Sequence, residues 1–149
     1  MAMNRALIGK VYDSVTATVD RNHALRFADA VGEDGALFHD PAAARAAGYD
    51  DQLATPTFVT TLEVAGLAQV IFDPDLGLDF SRVVHSQQSY RWERPIQVGD
   101  AVTATPRIAE ITTLGKNEVL VVESELTDAA GKTVAIARGS MLARGTAGA

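Results

Sequence analysis

The sequence predicts an α+β fold in which a curled antiparallel sheet wraps one long helix. Three observations carry this reading. An apolar run over 56–71 has the length and residue types of a core helix. Four segments rich in β-branched and aromatic residues follow it, separated by short turns. A further strand and two short helices precede it, so one sheet has a long apolar helix to enclose. The 149 residues suit one domain spanning 1–149, with no shift in composition to mark a linker.

The elements follow in order. Val11, Val15, Thr16, Thr18 and Val19 favour a strand over 10–19. Asp20 then caps a helix over 21–31, with Ala24, Leu25, Phe27, Ala28 and Val31 as its apolar face. Gly32 ends that helix, and Gly48 closes an Ala-rich helix over 41–47 that starts at Pro41. Thr55 offers an N-cap hydroxyl and Pro56 a first-turn residue for the long helix. Phe58, Val59, Leu62, Val64, Ala65, Leu67, Val70 and Ile71 fall on nearly every side of it, which predicts burial on most sides.

After the Asp73–Gly77 turn, strands are expected over 83–93, 101–113, 118–127 and 133–143. Gly or Asp in each link suits a turn, and short links favour an antiparallel four-strand meander. Leu120, Val122 and Leu126 alternate with Glu123 and Glu125, so one side of the sheet is covered and the other partly wet.

A formal net charge of −6 leaves no basic stripe for a nucleic-acid surface. The absence of cysteine removes disulfides and thiol chemistry, and the Met-Ala-Met-Asn start lacks the blocks of a signal peptide, which predicts a cytoplasmic protein. The apolar run carries Glu63 and Gln69 and is too short to insert in a membrane. Metal-ligand spacing, a phosphate loop and a nucleophile elbow are all missing, so no metal or cofactor is expected.

Chemistry concentrates in the loop between the first two helices. Glu33, Asp34 and His39 put carboxylates and an imidazole upstream of the long helix, whose N-terminal N–H groups suit a developing negative charge. His85 sits on the same strand face as Gln87, Ser89 and Arg91, opposite Val84, Ser86, Gln88, Tyr90 and Trp92. It reads either as a sheet histidine at a subunit contact or as a pocket residue. His23 falls on the polar side of its helix.

Several motifs together resemble the MaoC-like (R)-specific hydratase and dehydratase family of hot-dog proteins. They are Val31-Gly32-Glu33-Asp34 through Gly48-Tyr49, Ala54-Thr55-Pro56-Thr57-Phe58, His85-Ser86-Gln87-Gln88, Arg94-Pro95 with Gly99-Asp100, and Thr127 to Gly131. The likeness is strongest to the N-terminal dehydratase-type domain and the non-catalytic subunits of (3R)-hydroxyacyl carrier-protein dehydratases. It implies a single hot-dog domain and an acyl-CoA or acyl carrier protein thioester substrate, in fatty-acid or polyketide metabolism. It also implies pairing as a homodimer, or as a heterodimer with a catalytic MaoC-like subunit.

Active members resemble one another in a Gly-Asp-x-Asn-Pro-Leu-His loop, whose Asp and His handle the water added to or lost from the thioester. Here Glu33 falls at the aspartate and Phe38 at the histidine, and Gly35 and Ala36 replace Asn and Pro. Phenylalanine carries no proton. A His-Gly pair usually opens the family's long helix; Thr55 and Pro56 replace it, and proline has no N–H to offer an oxyanion, which leaves Thr57 as the donor. Asp34 and His39 keep the five-residue separation of the dyad one register later.

Two readings follow. In one, the chain is a dehydratase subunit with a degenerate loop, and Phe38, Thr55, Pro56, Thr57 and His85 line its substrate pocket. In the other, it is an independent homodimeric hydratase using Asp34 and His39, or a thioesterase using Glu33 or Asp34. A non-enzymatic acyl-binding protein is a third reading. Arg91, Arg94 and Arg107 are candidate contacts for a phosphopantetheine arm or its carrier, or ordinary solvated strand charges.

Overall fold

The computed structural model describes residues 2–148. Its elements are β1 (Val15–Thr18), α1 (Arg21–Ala30), α2 (Pro41–Ala46), α3 (Val59–Ile71), β2 (Val83–Trp92), β3 (Ala101–Leu114), β4 (Asn117–Thr127) and β5 (Thr133–Ala143). The five strands form one antiparallel sheet in the order β1-β3-β4-β5-β2. Helix α3 packs across it, chiefly on β3 and also on β1, β4 and β5.

Local chemistry accounts for most boundaries. The Asp20 side chain accepts from the His23 N–H at the start of α1, and Asp40 accepts from Ala42 beside Pro41 at the start of α2. Gly32 and Gly48 take positive φ, 74° and 96°, just past the ends of those helices.

Thr55 departs from expectation: its side chain caps nothing. Pro56 to Phe58 open α3 as a 3₁₀ turn, and the Thr55 carbonyl rather than its hydroxyl accepts from the Phe58 N–H.

The meander is also shorter than expected. β3, β4 and β5 are joined by consecutive hairpins, but β2 lies beyond β5 instead of against β3. The link after β2 is drawn into another set of bonds. Ala54 N–H donates to the Ile96 carbonyl and Val98 N–H to the Gln52 carbonyl, each at 2.8–2.9 Å. Arg94 grips Asp100 at 2.7 and 3.2 Å across the link. A segment paired to residues 52–54 is not free to close a hairpin.

Val59, Leu62, Glu63, Gly66 and Val70 form the buried stripe of α3. One part of the core gathers Phe58, Val59 and Leu62 with Val19, Val102 and Leu126. The other gathers Val70 and Leu76 with Ile108, Leu120 and Met141. At Gly66 a Cβ would stand 3.1 Å from the Pro106 ring, so the missing side chain lets α3 approach β3 closely.

The other side of α3 is not covered within the chain. Val64 is 57% exposed, and Phe72 just past the helix, Phe80 and Trp92 are exposed as well. The expectation of burial on most sides therefore fails for the single chain, because the apolar residues exceed what one sheet face can cover.

Phe58 is buried and meets the rings of His23 and Phe27 edge-on at 5.0 and 5.5 Å. Phe58→Ala is expected to lower stability by about 3–5 kcal/mol in urea denaturation, against less than about 1 kcal/mol for Val64→Ala. Equal effects would show that the core does not lie where described.

Candidate active site

The loop after α1 is tied down by its neighbours. Ala36–Phe38 forms a 3₁₀ turn whose Phe38 carbonyl accepts from buried Gln52 Nε2 at 2.8 Å. Leu53 N–H donates to the Leu37 carbonyl at 2.9 Å. Glu33 Oε1 accepts the Gly35 N–H at 2.9 Å.

The loop histidine finds a different carboxylate from the one its spacing suggested. His39 Nε2 lies 3.0 Å from Asp29 Oδ1 on α1, and Nδ1 lies 3.2 Å from the Gly35 carbonyl. Asp34 is exposed, and no hydrogen bond joins it to His39 among the described residues. With acceptor oxygens at both ring nitrogens, Asp29 foremost, the imidazolium is favoured and the His39 pKa rises above its ordinary value.

Phe38 instead faces a cavity of about 420 Å³, lined also by Leu53, Thr55, Pro56, Trp92 and Arg94. Its walls are mainly apolar. The Thr55 hydroxyl is buried beside it with no hydrogen-bond partner among the described residues. Thr57 is exposed in the opening turn of α3, where backbone N–H groups lack intrahelical acceptors. Arg94 is only partly available, being held by Asp100 and lying 3.8 Å from Asp128. Arg107 pairs with Glu123 at 2.7 Å and Arg91 with Glu93 at 3.1 Å.

Farther along the same seam a second cavity, of about 260 Å³, lies between α3, β2 and β5. Here the expected strand alternation breaks. The pairing of β2 with β5 shifts register between His85 and Gln87, an extra residue that brings His85 round to the side of Gln88. His85 Nε2 donates to Gln88 Oε1 at 3.0 Å, and Gln88 Nε2 donates to Glu63 Oε1 at 3.1 Å. His85 thus lines a different cavity from Phe38, Thr55 and Pro56, with which it was grouped on sequence, and Thr57 of the same group lines neither.

Glu63 was read on sequence only as a polar interruption of an apolar helix. Burial raises its pKa to about 7, against hydrogen bonds from Gln88 and Ser124 that favour the carboxylate. Its signal was a carboxylate at i, i+3 and i+4 spacing from buried helix positions, and its partner Gln88 could not be found without the bulge.

Two side-chain hydrogen bonds bind this seam, from Trp92 Nε1 to the Pro56 carbonyl and from Gln88 Nε2 to Glu63 Oε1, with the Tyr90 hydroxyl near Thr60 between them. Steps of two residues on β2 advance about 7 Å, while steps of four and three on α3 advance about 6 and 4.5 Å, so the rows nearly keep pace.

Among the described residues no cluster of His or carboxylate side chains could hold a metal ion, and no helix is long and apolar enough to cross a membrane.

The fold and the site together define a hot-dog chain of dehydratase type. The family model "FAS1-like, dehydratase domain region" matches residues 6–137, and the chain belongs to that family. A UPF0336 protein of Thermobifida fusca is 43% identical over 148 residues, covering 99% of this chain and 97% of that one. The C-terminally truncated HadBC (3R-hydroxyacyl-ACP dehydratase) complex of Mycobacterium tuberculosis superposes with a TM-score of 0.82 at 25% identity, covering 91% of this chain and 96% of that one. A MaoC-like dehydratase shares the fold with a TM-score of 0.87 at 23% identity, covering 94% of this chain and 43% of the other. The hydratase and dehydratase character anticipated from the motifs is therefore that of the family.

Two titrations check this geometry. In an NMR pH titration His39 should titrate above an ordinary histidine, and Asp29→Asn should bring it down. Because the folded value is raised, the stabilisation from this pair is complete below the unfolded pKa, near 6.5, and is lost as pH rises through the folded value. An unshifted His39 would refute the pairing.

Glu63 obeys the same sign for the opposite reason, since burial holds the proton on. Its contribution is present below the unfolded value of 4.5 and is lost as pH rises toward about 7. Glu63→Gln should flatten stability over that window and make the protein up to about 3 kcal/mol more stable than the parent at pH 8. Parallel stability–pH curves for the two proteins would show that the carboxyl is not buried as described.

Proposed function

We propose that this chain is the substrate-holding subunit of a (3R)-hydroxyacyl thioester dehydratase or hydratase, paired with a catalytic MaoC-like subunit. The observation that carries this reading is the side chain that faces the main cavity from the loop: Phe38, not a histidine. Hydration and dehydration require a proton donor and acceptor next to the thioester. The loop's only histidine is turned to Asp29 on α1, away from Asp34.

The rest of the cavity suits binding. Leu53, Trp92 and Ile96 offer apolar walls to an acyl chain, and the unpaired Thr55 hydroxyl, with the Thr57 N–H just outside the lining, offers donors to a thioester oxygen. Pro56 removes the donor that would lie between them, so what remains suits holding a thioester better than stabilising an enolate. The partner would supply the aspartate and histidine, and the uncovered apolar face along α3 and β2 is where it would dock. The heteromeric HadBC complex supports a mixed pair. The substrate carrier, CoA or acyl carrier protein, meets the rim formed by Trp92, Glu93 and Arg94.

An independent enzyme using Asp34 and His39 has weaker support, because that pair is not joined. The discriminating assay follows loss of the conjugated thioester absorbance of a trans-2-enoyl thioester, with mass spectrometry to separate hydration from hydrolysis. The chain alone is expected to be silent while binding the thioester, and to gain hydration when mixed with a MaoC-like subunit carrying the intact loop. Thr55→Val should weaken thioester binding about five- to tenfold, the loss of one hydrogen bond. Hydration by the chain alone, abolished by Asp34→Asn or His39→Ala, would overturn the subunit reading. Binding without turnover in any pairing would leave an acyl-binding protein.

A further inference from the structure

The second cavity is built from two kinds of surface. Leu67, Ile71, Val83, Val122 and Met141 make most of it hydrocarbon-lined, which suits a chain. One side is polar: Glu63, Gln88 and His85, held in fixed order by two hydrogen bonds.

That order specifies what the wall offers. An amide oxygen only accepts, so His85 Nε2 carries the proton facing Gln88, and Nδ1 of the neutral ring is left as an acceptor. Gln88 Nε2 gives one hydrogen to Glu63 and keeps a second. Glu63 retains its other carboxyl oxygen, with Ser124 nearby. No lysine or arginine lines the cavity, so the carboxyl has no cation to neutralise it, and burial raises its pKa.

Space has been made for this wall. A Cβ on Gly139 of β5 would come within 2.8 Å of Gln88 Oε1, so a side chain there would push the amide from its place between Glu63 and His85. The β-bulge turns His85 to the same side. A cavity meant for plain hydrocarbon would gain from apolar residues at these positions, since a methylene chain leaves polar groups without partners.

We propose that this cavity is a subsite for an oxygenated acyl chain, in which a hydroxyl carried well beyond the thioester is held by Glu63 and Gln88 with His85 behind them. The assignment rests on the acyl-thioester reading above and adds the class of chain. The distance is suitable: from Pro56 to Glu63 is roughly 10 Å, and from Trp92 to Gln88 along β2 about 14 Å, within the reach of a medium-length chain that parts the contacts along this seam. A hydroxyl both donates and accepts, matching a wall that presents a carboxyl oxygen beside an amide N–H.

The test is calorimetric binding of decanoyl-CoA against a series of hydroxydecanoyl-CoA isomers with the hydroxyl moved from mid-chain to the terminal carbon, using the full chain. At least one isomer is expected to bind about tenfold or more tightly than decanoyl-CoA. Glu63→Leu and, separately, Gln88→Leu should abolish the preference while leaving decanoyl-CoA binding equal or stronger. That retained binding shows the variants are folded, and circular dichroism melting confirms it. A series in which every isomer binds no better than decanoyl-CoA overturns the subsite. Failure of all these thioesters to bind overturns the thioester reading itself.

Discussion

The approach of α3 to the sheet governs the rest of the molecule. Gly66 against Pro106 fixes how close the helix comes, and Phe58, Val59, Leu62 and Val70 determine which stripe faces inward. That rotation has two consequences. It turns Glu63, within the stripe, toward β2, and it leaves Val64 and its neighbours uncovered. The second cavity occupies the seam between α3 and β2, and the first lies at the end of β2 beside the turn that opens the helix. A helix rotated by one residue to bury Val64 would carry Glu63 to the place of Leu62, away from Gln88, and remove the polar wall of the second cavity.

Most of this architecture was legible in the residues. β-branched runs marked β3, β4 and β5 to within a residue or two, because hairpin turns and alternation are local signals. The place of β2 was not, since strand order depends on which backbone groups the intervening link satisfies. That link bonds to residues 52–54, a contact with no sequence signature. β1 is shorter than the sequence suggested because only Val15 to Thr18 pair continuously with β3, although Val11 makes one isolated bridge farther along.

The site was legible only in part. Phe38, Thr55 and Pro56 were drawn to one cavity by family motifs, and the structure gathers them there. The His39 partner was misplaced by counting along the loop: Asp29 precedes it by ten positions but lies on the preceding helix turn that the loop folds back upon. The Glu63–Gln88–His85 chain was hidden for another reason. Strict alternation puts His85 and Gln88 on opposite faces, and a single inserted residue reverses that parity. Insertions of this kind change one local register and leave no mark in composition or periodicity.

Under the substrate-holding proposal, nothing in the loop's chemistry calls for a carboxyl in the core. Burying Glu63 works against stability at neutral pH, since the unfolded chain ionises it freely and the folded one does not. Apolar replacement would be the easier solution for a helix that needs only to pack. The structure instead surrounds Glu63 with a donor amide, a glycine that makes room for that amide, and a bulge that brings a histidine behind it. These features serve one small volume and are unnecessary for the hot-dog framework, which Leu120, Ile108 and Leu126 already hold. A cavity faced by Phe38 at one place, together with a polar wall of Glu63, Gln88 and His85 at another, is the division that the proposed role of a substrate-selecting subunit calls for.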